Sequence, residues 1–295
     1  MIRKILLAGA ASALLSTNAF AANAACPNVS LSSLQSALKS AVSQTAGTLG
    51  FGLNMWATVV APDGHVCVVA NSSGTAAAPG ANSIQGQWLA SRVISAQKAY
   101  TAATLSLGTT PSSGSGTGVQ TGKVPLSTAN LYSAVQPGGS LFGLSDSNPV
   151  AAAGAYGDRI STGGNYAGPV DTANFGTSSD PMIGQIIGGI NTFGGGLALY
   201  TSAGVKVGAV GVSGDSSCAD HIVAWNVRHN LSLDHLLGMN AFFGTSASRP
   251  DNIVFDIGAN GKSASGWGHP NCGAPGLSNQ DAQSAANGKE PEVVQ

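Results

Sequence analysis

Charge is the scarcest property of this sequence. Asp, Glu, Lys and Arg make up only 8% of its 295 residues, against about 25% in an ordinary soluble domain. The twelve Lys and Arg are scattered and form no basic run. Without a stripe of cations to displace phosphate counterions, nucleic acid is excluded as a partner. The formal net charge of −1 names no other partner. Glutamate is confined to Glu290 and Glu292, so a carboxylate pair for acid–base chemistry would have to be two aspartates, and no spacing marks such a pair. Aromatic residues are 6% of the chain while apolar residues reach 43%. A core must therefore be built mainly from Ala, Val, Leu and Ile. That apolar content also excludes a charged, disordered chain.

Several motifs are absent as well. No run of 18 apolar residues occurs, so no transmembrane helix is expected. There is no C-x-x-C pair of the zinc-ribbon or thioredoxin kind. There is no H-E-x-x-H and no P-loop. Gly211-Val212-Ser213-Gly214-Asp215 fails as a nucleophile elbow at its last position. Gly194-Gly195-Gly196 enters a strand pattern instead of following one, unlike a dinucleotide fingerprint. No nucleophile–base constellation is visible in the order of residues.

What is present begins with an export signal over residues 1–24. Arg3 and Lys4 give a positive start, residues 5–15 form an apolar run too short to span a bilayer, and Ala22-Asn23-Ala24 is a small-x-small cleavage site. Cleavage is expected after Ala24, with Ala21 as the alternative, and places the protein in the periplasm or outside the cell. A lipoprotein would instead be acylated at Cys26, but Asn23 is a poor residue three places before it. Cys26, Cys67, Cys218 and Cys272 all lie beyond the cleavage site. An even number of cysteines in an exported chain favours disulfides. Three connectivities are open to four cysteines, and sequence does not choose among them. The pairing taken as the expectation is Cys26–Cys67 with Cys218–Cys272.

Apolar spacing predicts a helix over 30–46 with Ser30 as its cap. Strands at 51–60 and 66–70 flank the turn residues Pro62-Asp63-Gly64, and a long helix follows over 83–107. The same order returns with strands at 197–201 and 205–212 and a helix over 217–231. A helix at 233–243 and a strand at 252–257 complete the reading. Hairpin-then-helix units that repeat predict an α+β fold, an antiparallel sheet of about five strands with helices on both faces. One domain is expected over 25–245. It carries an insertion at about 108–180, rich in Gly, Ser, Thr, Pro and Asn and holding short helices or strands. Residues 246–295 form a C-terminal extension, frayed in its last twenty unless Cys272 holds it.

The histidines are the remaining chemical candidates. His65 follows the hairpin turn, where it is either an outward ligand or a solvated turn residue. His221, Trp225 and His229 share one helical face and would flank a flat aromatic ligand, or form a seam between core and surface. His235 and His269 stand alone in sequence. Arg92, Lys98 and Tyr100 lie on the long helix, where the two cations are natural partners for a ligand carboxylate or part of a solvated face. The glycines at 194–196 permit close backbone approach to a ligand, or make a tight turn into the strand.

Three stretches resemble the GlcG/HbpS family of haem-binding proteins. They are Ser95-Ala-Gln-Lys98-Ala-Tyr100-Thr-Ala-Ala103, Phe193-Gly-Gly-Gly-Leu-Ala-Leu-Tyr200, and Val207-Gly-Ala-Val-Gly-Val-Ser-Gly214 followed by Asp220. The hairpin ending in Asp63-Gly64-His65 fits the family's first strand pair. The resemblance covers roughly 30–110 and 182–235, and the insertion and tail depart from the short family form, as in a longer, exported variant. It implies a higher homo-oligomer that binds haem or a similar tetrapyrrole, with a corrinoid as the alternative ring. It carries over His65 as a haem-iron ligand, and Arg92, Lys98, Tyr100, Gly194, Gly195, Gly196 and Asp220 as contacts to the ring or its propionates. Haem capture or a sensor accessory role is the function it implies, without a dedicated catalytic activity. Two other classes stay open: an enzyme acting on a small hydroxy- or keto-acid, and a secreted structural module.

Overall fold

Two hairpins lie side by side to make the central sheet. The computed structural model of the protein describes residues 25–74, 88, 90–106, 124–156, 160–161, 165–166, 174–273 and 275–294. The expected export segment, and part of the helix expected over 83–107, fall outside them. Helix α1 spans Leu31–Thr45 and is capped by the Ser30 hydroxyl, which accepts from the Ser33 amide. Strands β1 (Trp56–Val60) and β2 (Val66–Asn71) pair antiparallel, with Val59 opposite Val68. Gly64 turns the hairpin at φ +91°, and a Cβ there would strike the Tyr100 ring at 2.5 Å. Only glycine satisfies both demands. Helix α2 follows at Ser91–Leu105.

The insertion supplies 3₁₀ turns at Thr128–Leu131 and Leu144–Asp146, helix α3 (Ala152–Tyr156) and a two-stranded ribbon of β3 (Ile160–Ser161) and β4 (Asn165–Tyr166). The second large hairpin is β5 (Gly196–Tyr200) with β6 (Lys206–Ser213), Leu197 facing Val210. Strand β6 also pairs with β1, Val59 opposite Val210, so the sheet runs β2-β1-β6-β5 and every neighbour is antiparallel. Helix α4 spans Ser217–Asn230 and helix α5 Asn279–Asn287.

Helices cover both faces. Leu34 and Leu38 of α1 and Val223 and Val227 of α4 share one buried cluster with Val59, Val68, Val210 and Val212. Ala96, Ala99 and Ala102 of α2 join Val60, Val66 and Ala209 in a second, on the other face. The alanines let α2 lie close to the sheet, which suits a core poor in aromatics. A third cluster ties Ile222 of α4 to Ile253, Phe255, Ala282 and Ala286.

The expectations change in four places. The large sheet has four strands, because 252–257 buries its apolar side chains against α4 and α5 instead of joining a ladder. No helix forms over 233–243. The Leu233 carbonyl accepts from the Tyr200 amide, Asp234 and His235 bridge to Tyr200 and Val294, and Gly238 turns the chain at φ +83°. Backbone groups committed to neighbouring segments cannot close helical rings. The two hairpin–helix units are not equivalent, since α2 and α4 lie on opposite faces. The first strand begins at Trp56, five residues later than expected, while the tail, held by the Cys218–Cys272 disulfide, forms α5.

Candidate functional site

The residues named from sequence separate into three places. At the first hairpin, His65 is 8% exposed. Its Nδ1–H donates to Asp63 Oδ1 at 2.6 Å, and its Nε2 lies 3.3 Å from Cys26 Sγ. Cys26 is joined to Cys67 with an S–S distance of 1.97 Å. Iron at Nε2 would have to stand where the disulfide stands. The expected outward presentation of His65 gives way to a ring wedged between an aspartate and a disulfide. Tyr100 packs over the adjacent Gly64.

At the start of α2, Arg92 is 2% exposed. Its Nε donates to Asp180 Oδ2 at 2.9 Å, its Nη1 to the Ala155 carbonyl at 2.7 Å, and its Nη2 to Asp180 Oδ1. Phe175 lies against its guanidinium, 3.7 Å from carbon to ring centroid. Every face of this cation is used to hold the insertion on α2, so it does not reach a ligand carboxylate.

The third place gathers Lys98, Asp220 and the triple glycine. Lys98 Nζ donates to Asp220 Oδ2 at 2.6 Å and to the Val212 carbonyl at 3.1 Å. Both side chains are almost wholly buried. Burial pulls the Lys98 pKa down, opposed by Asp220, and pushes the Asp220 pKa up to about 6, opposed by Lys98. A Cβ on Gly194, Gly195 or Gly196 would lie 2.3 Å from the Ser217 carbonyl, 2.4 Å from the Val212 carbonyl or 2.5 Å from the Lys98 carbonyl. These glycines therefore admit neighbouring backbone, and the space over the ion pair is filled by protein.

The stripe on α4 also faces protein. His221 Nε2 accepts from the Ile253 amide, Trp225 Nε1–H donates to the Pro291 carbonyl, and His229 Nδ1–H donates to Asp234. The residues chosen from sequence fall in three separate places, and the polar atoms of His65, Arg92, Lys98 and Asp220 are engaged by protein groups.

Two features were not visible in sequence. The first is an open cleft of about 710 Å³ between 132–140 of the insertion and 257–270 of the C-terminal extension, a volume typical of small-molecule sites. Its lining includes Tyr132, Gln136, Lys262, Ser265, Trp267 and Pro270. Trp267 is set by stacking on Phe243 at 5.7 Å and 7° and by an edge contact with Phe242 at 4.9 Å. A smaller apolar pocket of about 220 Å³, lined in part by Leu105, Leu131 and Phe242, also touches Trp267. Both linings draw on residues outside the stretches of family resemblance.

The second feature is a serine–histidine pair beside the cleft. His269 Nδ1–H donates to the Pro270 carbonyl at 2.7 Å, which leaves Nε2 to accept from the Ser217 hydroxyl at 2.6 Å. The Gly194 amide donates to Ser217 Oγ at 2.7 Å. Burial draws the His269 pKa down to about 4, so its ring is neutral at neutral pH. The Cys218–Cys272 disulfide, S–S 1.99 Å, fastens the loop carrying His269 to the start of α4. Ser217 and His269 are 52 positions apart, so no local motif announces them.

No family model matches the sequence, and no curated protein matches it. Among solved structures, the Klebsiella pneumoniae protein ORFY, described with the family model DUF336, is similar at a TM-score of 0.38 and 21% identity, over 69% of this chain and 90% of its own. A PduOC:heme complex is similar at a TM-score of 0.37 and 20% identity, over 68% of this chain and 94% of its own.

Proposed function

We propose that this is an exported tetrapyrrole-binding protein that takes haem in the cleft between Tyr132 and Trp267. The observation that carries this reading is the cleft itself, which joins ligand-sized volume to a fixed indole, a phenol and a cation. Haem is a flat apolar ring with two carboxylates. Trp267 would cover part of the ring, Lys262 would meet a propionate, and the Tyr132 hydroxyl is the lining oxygen suited to iron. Bound haem supplies redox-active iron, and this chain's residues hold and orient it. Capture outside the cytoplasm, with assembly into a homo-oligomer, belongs to the same reading. The disulfides and the lack of a membrane-spanning helix among the described residues are compatible with it.

The test is a haem titration followed by absorbance and tryptophan fluorescence. A saturable Soret shift near one haem per chain is expected, with Trp267 quenching. Tyr132→Phe should move the Soret maximum, Lys262→Ala should weaken binding about tenfold, as for loss of one exposed charged contact, and His65→Ala should change neither. A Soret shift that survives Tyr132→Phe and Trp267→Ala but vanishes in His65→Ala would return the ligand to the hairpin. No saturable shift would end the haem reading.

A further inference from the structure

We propose that Ser217 and His269 form a nucleophile–base pair that transfers acyl groups from small carboxylic esters to water. A weak nucleophile needs a base within hydrogen-bond reach and a third group that orients the base. All three are present: Ser217 Oγ, His269 Nε2 at 2.6 Å, and the Pro270 carbonyl holding Nδ1–H at 2.7 Å. The carbonyl fixes the tautomer that leaves Nε2 free to take a proton, the part played by a carboxylate in a full triad. Neutral His269 is in the state a base requires.

The surroundings favour the serine end of the pair. Ser217 is partly exposed whereas His269 is buried, so the residue that carries the nucleophile is the one nearer solvent. Ser217 opens α4, and its own amide and that of Cys218 have no hydrogen-bond acceptor among the described residues. Free amides at this position are the donors that an oxyanion on the acyl carbon would use. Tyr132 lies 5.1 Å from His269 and 6.3 Å from Phe193, ring centre to ring centre, and Phe193 is 48% exposed. Two accessible rings beside the serine suit an ester with an aromatic leaving group or acyl portion.

The reaction closes without a further cofactor. Ser217 Oγ bonds to the ester carbonyl carbon as its proton passes to His269 Nε2. The bond from carbon to the leaving oxygen breaks, and that oxygen takes the proton from Nε2. Water then attacks the acyl-serine, gives its proton to Nε2, and the acid departs as the proton returns to Ser217. The sum is ester plus water giving acid plus alcohol. This activity goes beyond haem binding and does not depend on it.

The test uses the exported, disulfide-bonded protein without haem and two probes, p-nitrophenyl acetate and an aryl fluorophosphonate. Saturable p-nitrophenol release is expected, falling about 100-fold or more in Ser217→Ala and in His269→Gln. The fluorophosphonate should label the unaltered protein at the peptide carrying Ser217 and no other serine, with label lost on prior unfolding. That second measurement needs no variant to fold. An unlabelled Ser217 in the folded protein, or ester hydrolysis unchanged in a folded Ser217→Ala, overturns the proposal.

Discussion

Lys98 and Asp220 show how much the fold adds to a sequence signal. Both stand in the segments that resemble a haem-binding family, which makes them candidates for ligand contact. Folding brings them across 122 positions to 2.6 Å and closes them against each other. Scarce charge is the key: a chain with few ions that buries two of them must pair them. Removing one partner of a buried pair typically costs about 3–5 kcal/mol, because the other is left uncompensated, whereas replacing both by apolar residues is often near neutral. Lys98→Met should therefore destabilise the protein by about that amount in urea unfolding, and Lys98→Met with Asp220→Leu should restore most of it. Equal losses in the single and double variants would mean that the two side chains contribute through packing alone. Arg92 teaches the same lesson, since Asp180, Ala155 and Phe175, which hold it, come from segments remote in sequence.

Elements were legible where their own periodicity decides them. Helices α1 and α4 and the two large hairpins follow apolar spacing and turn residues, so their positions in the structure fall close to the expected ones. Residues 233–243 have apolar spacing too, but their backbone groups are claimed by Tyr200 and by the end of the chain. The run at 252–257 has strand composition, but its amides donate to side chains, Ile253 to His221 and Phe255 to Gln283, instead of to a neighbouring strand. The packing of α2 on the sheet depends on a glycine whose purpose no periodicity reveals. A Cβ at Gly211 of β6 would stand 2.0 Å from the Ser95 carbonyl oxygen and 2.5 Å from the Ala99 nitrogen. Both are helix backbone and cannot rotate aside. Gly211→Ala should cost about 1–3 kcal/mol or more, the scale of overpacking a tight core, read as a lowered urea midpoint. Gly138→Ala, with open space around its Cβ but φ +85°, should cost only the strain of a left-handed residue, about 1 kcal/mol. If Gly211→Ala costs no more than Gly138→Ala, the helix gives way to the added methyl and close approach at Gly211 does not hold α2 on the sheet.

At the scale of the whole molecule, the C-terminal extension is part of the core. Arg228 of α4 makes a paired contact with Asp251 at 2.6 and 2.9 Å, with both side chains fully buried, and α4 also donates to the Pro291 and Lys289 carbonyls. The cleft wall formed by 257–270 is set in place by this docking. One group in the extension opposes it as pH rises. Glu290 is 1% exposed, neither carboxyl oxygen has a hydrogen-bond partner, and burial pushes its pKa from 4.5 up to about 8. The folded state keeps a proton that the unfolded chain releases near pH 4.5, so the stabilising neutral form is lost progressively from there to about pH 8. Three other buried groups act below pH 6.5. Asp220, raised to about 6, works in the same direction, whereas His221 and His269, lowered to about 3 and about 4, lose stability as pH falls below their usual 6.5. Burial lowers the pKa of Lys98 and Lys206, which act in the opposite sense toward alkaline pH, so comparison with a variant that cannot ionise isolates Glu290 in the window from pH 6.5 to 8. Across it the unaltered protein should lose about 2 kcal/mol, from 1.36 kcal/mol per pKa unit. Glu290→Gln, which cannot ionise, should hold its urea midpoint nearly constant over the same range. A pH slope that persists in Glu290→Gln would show that the extension's docking is limited by some other titrating group, and that the cleft wall does not loosen through this carboxyl.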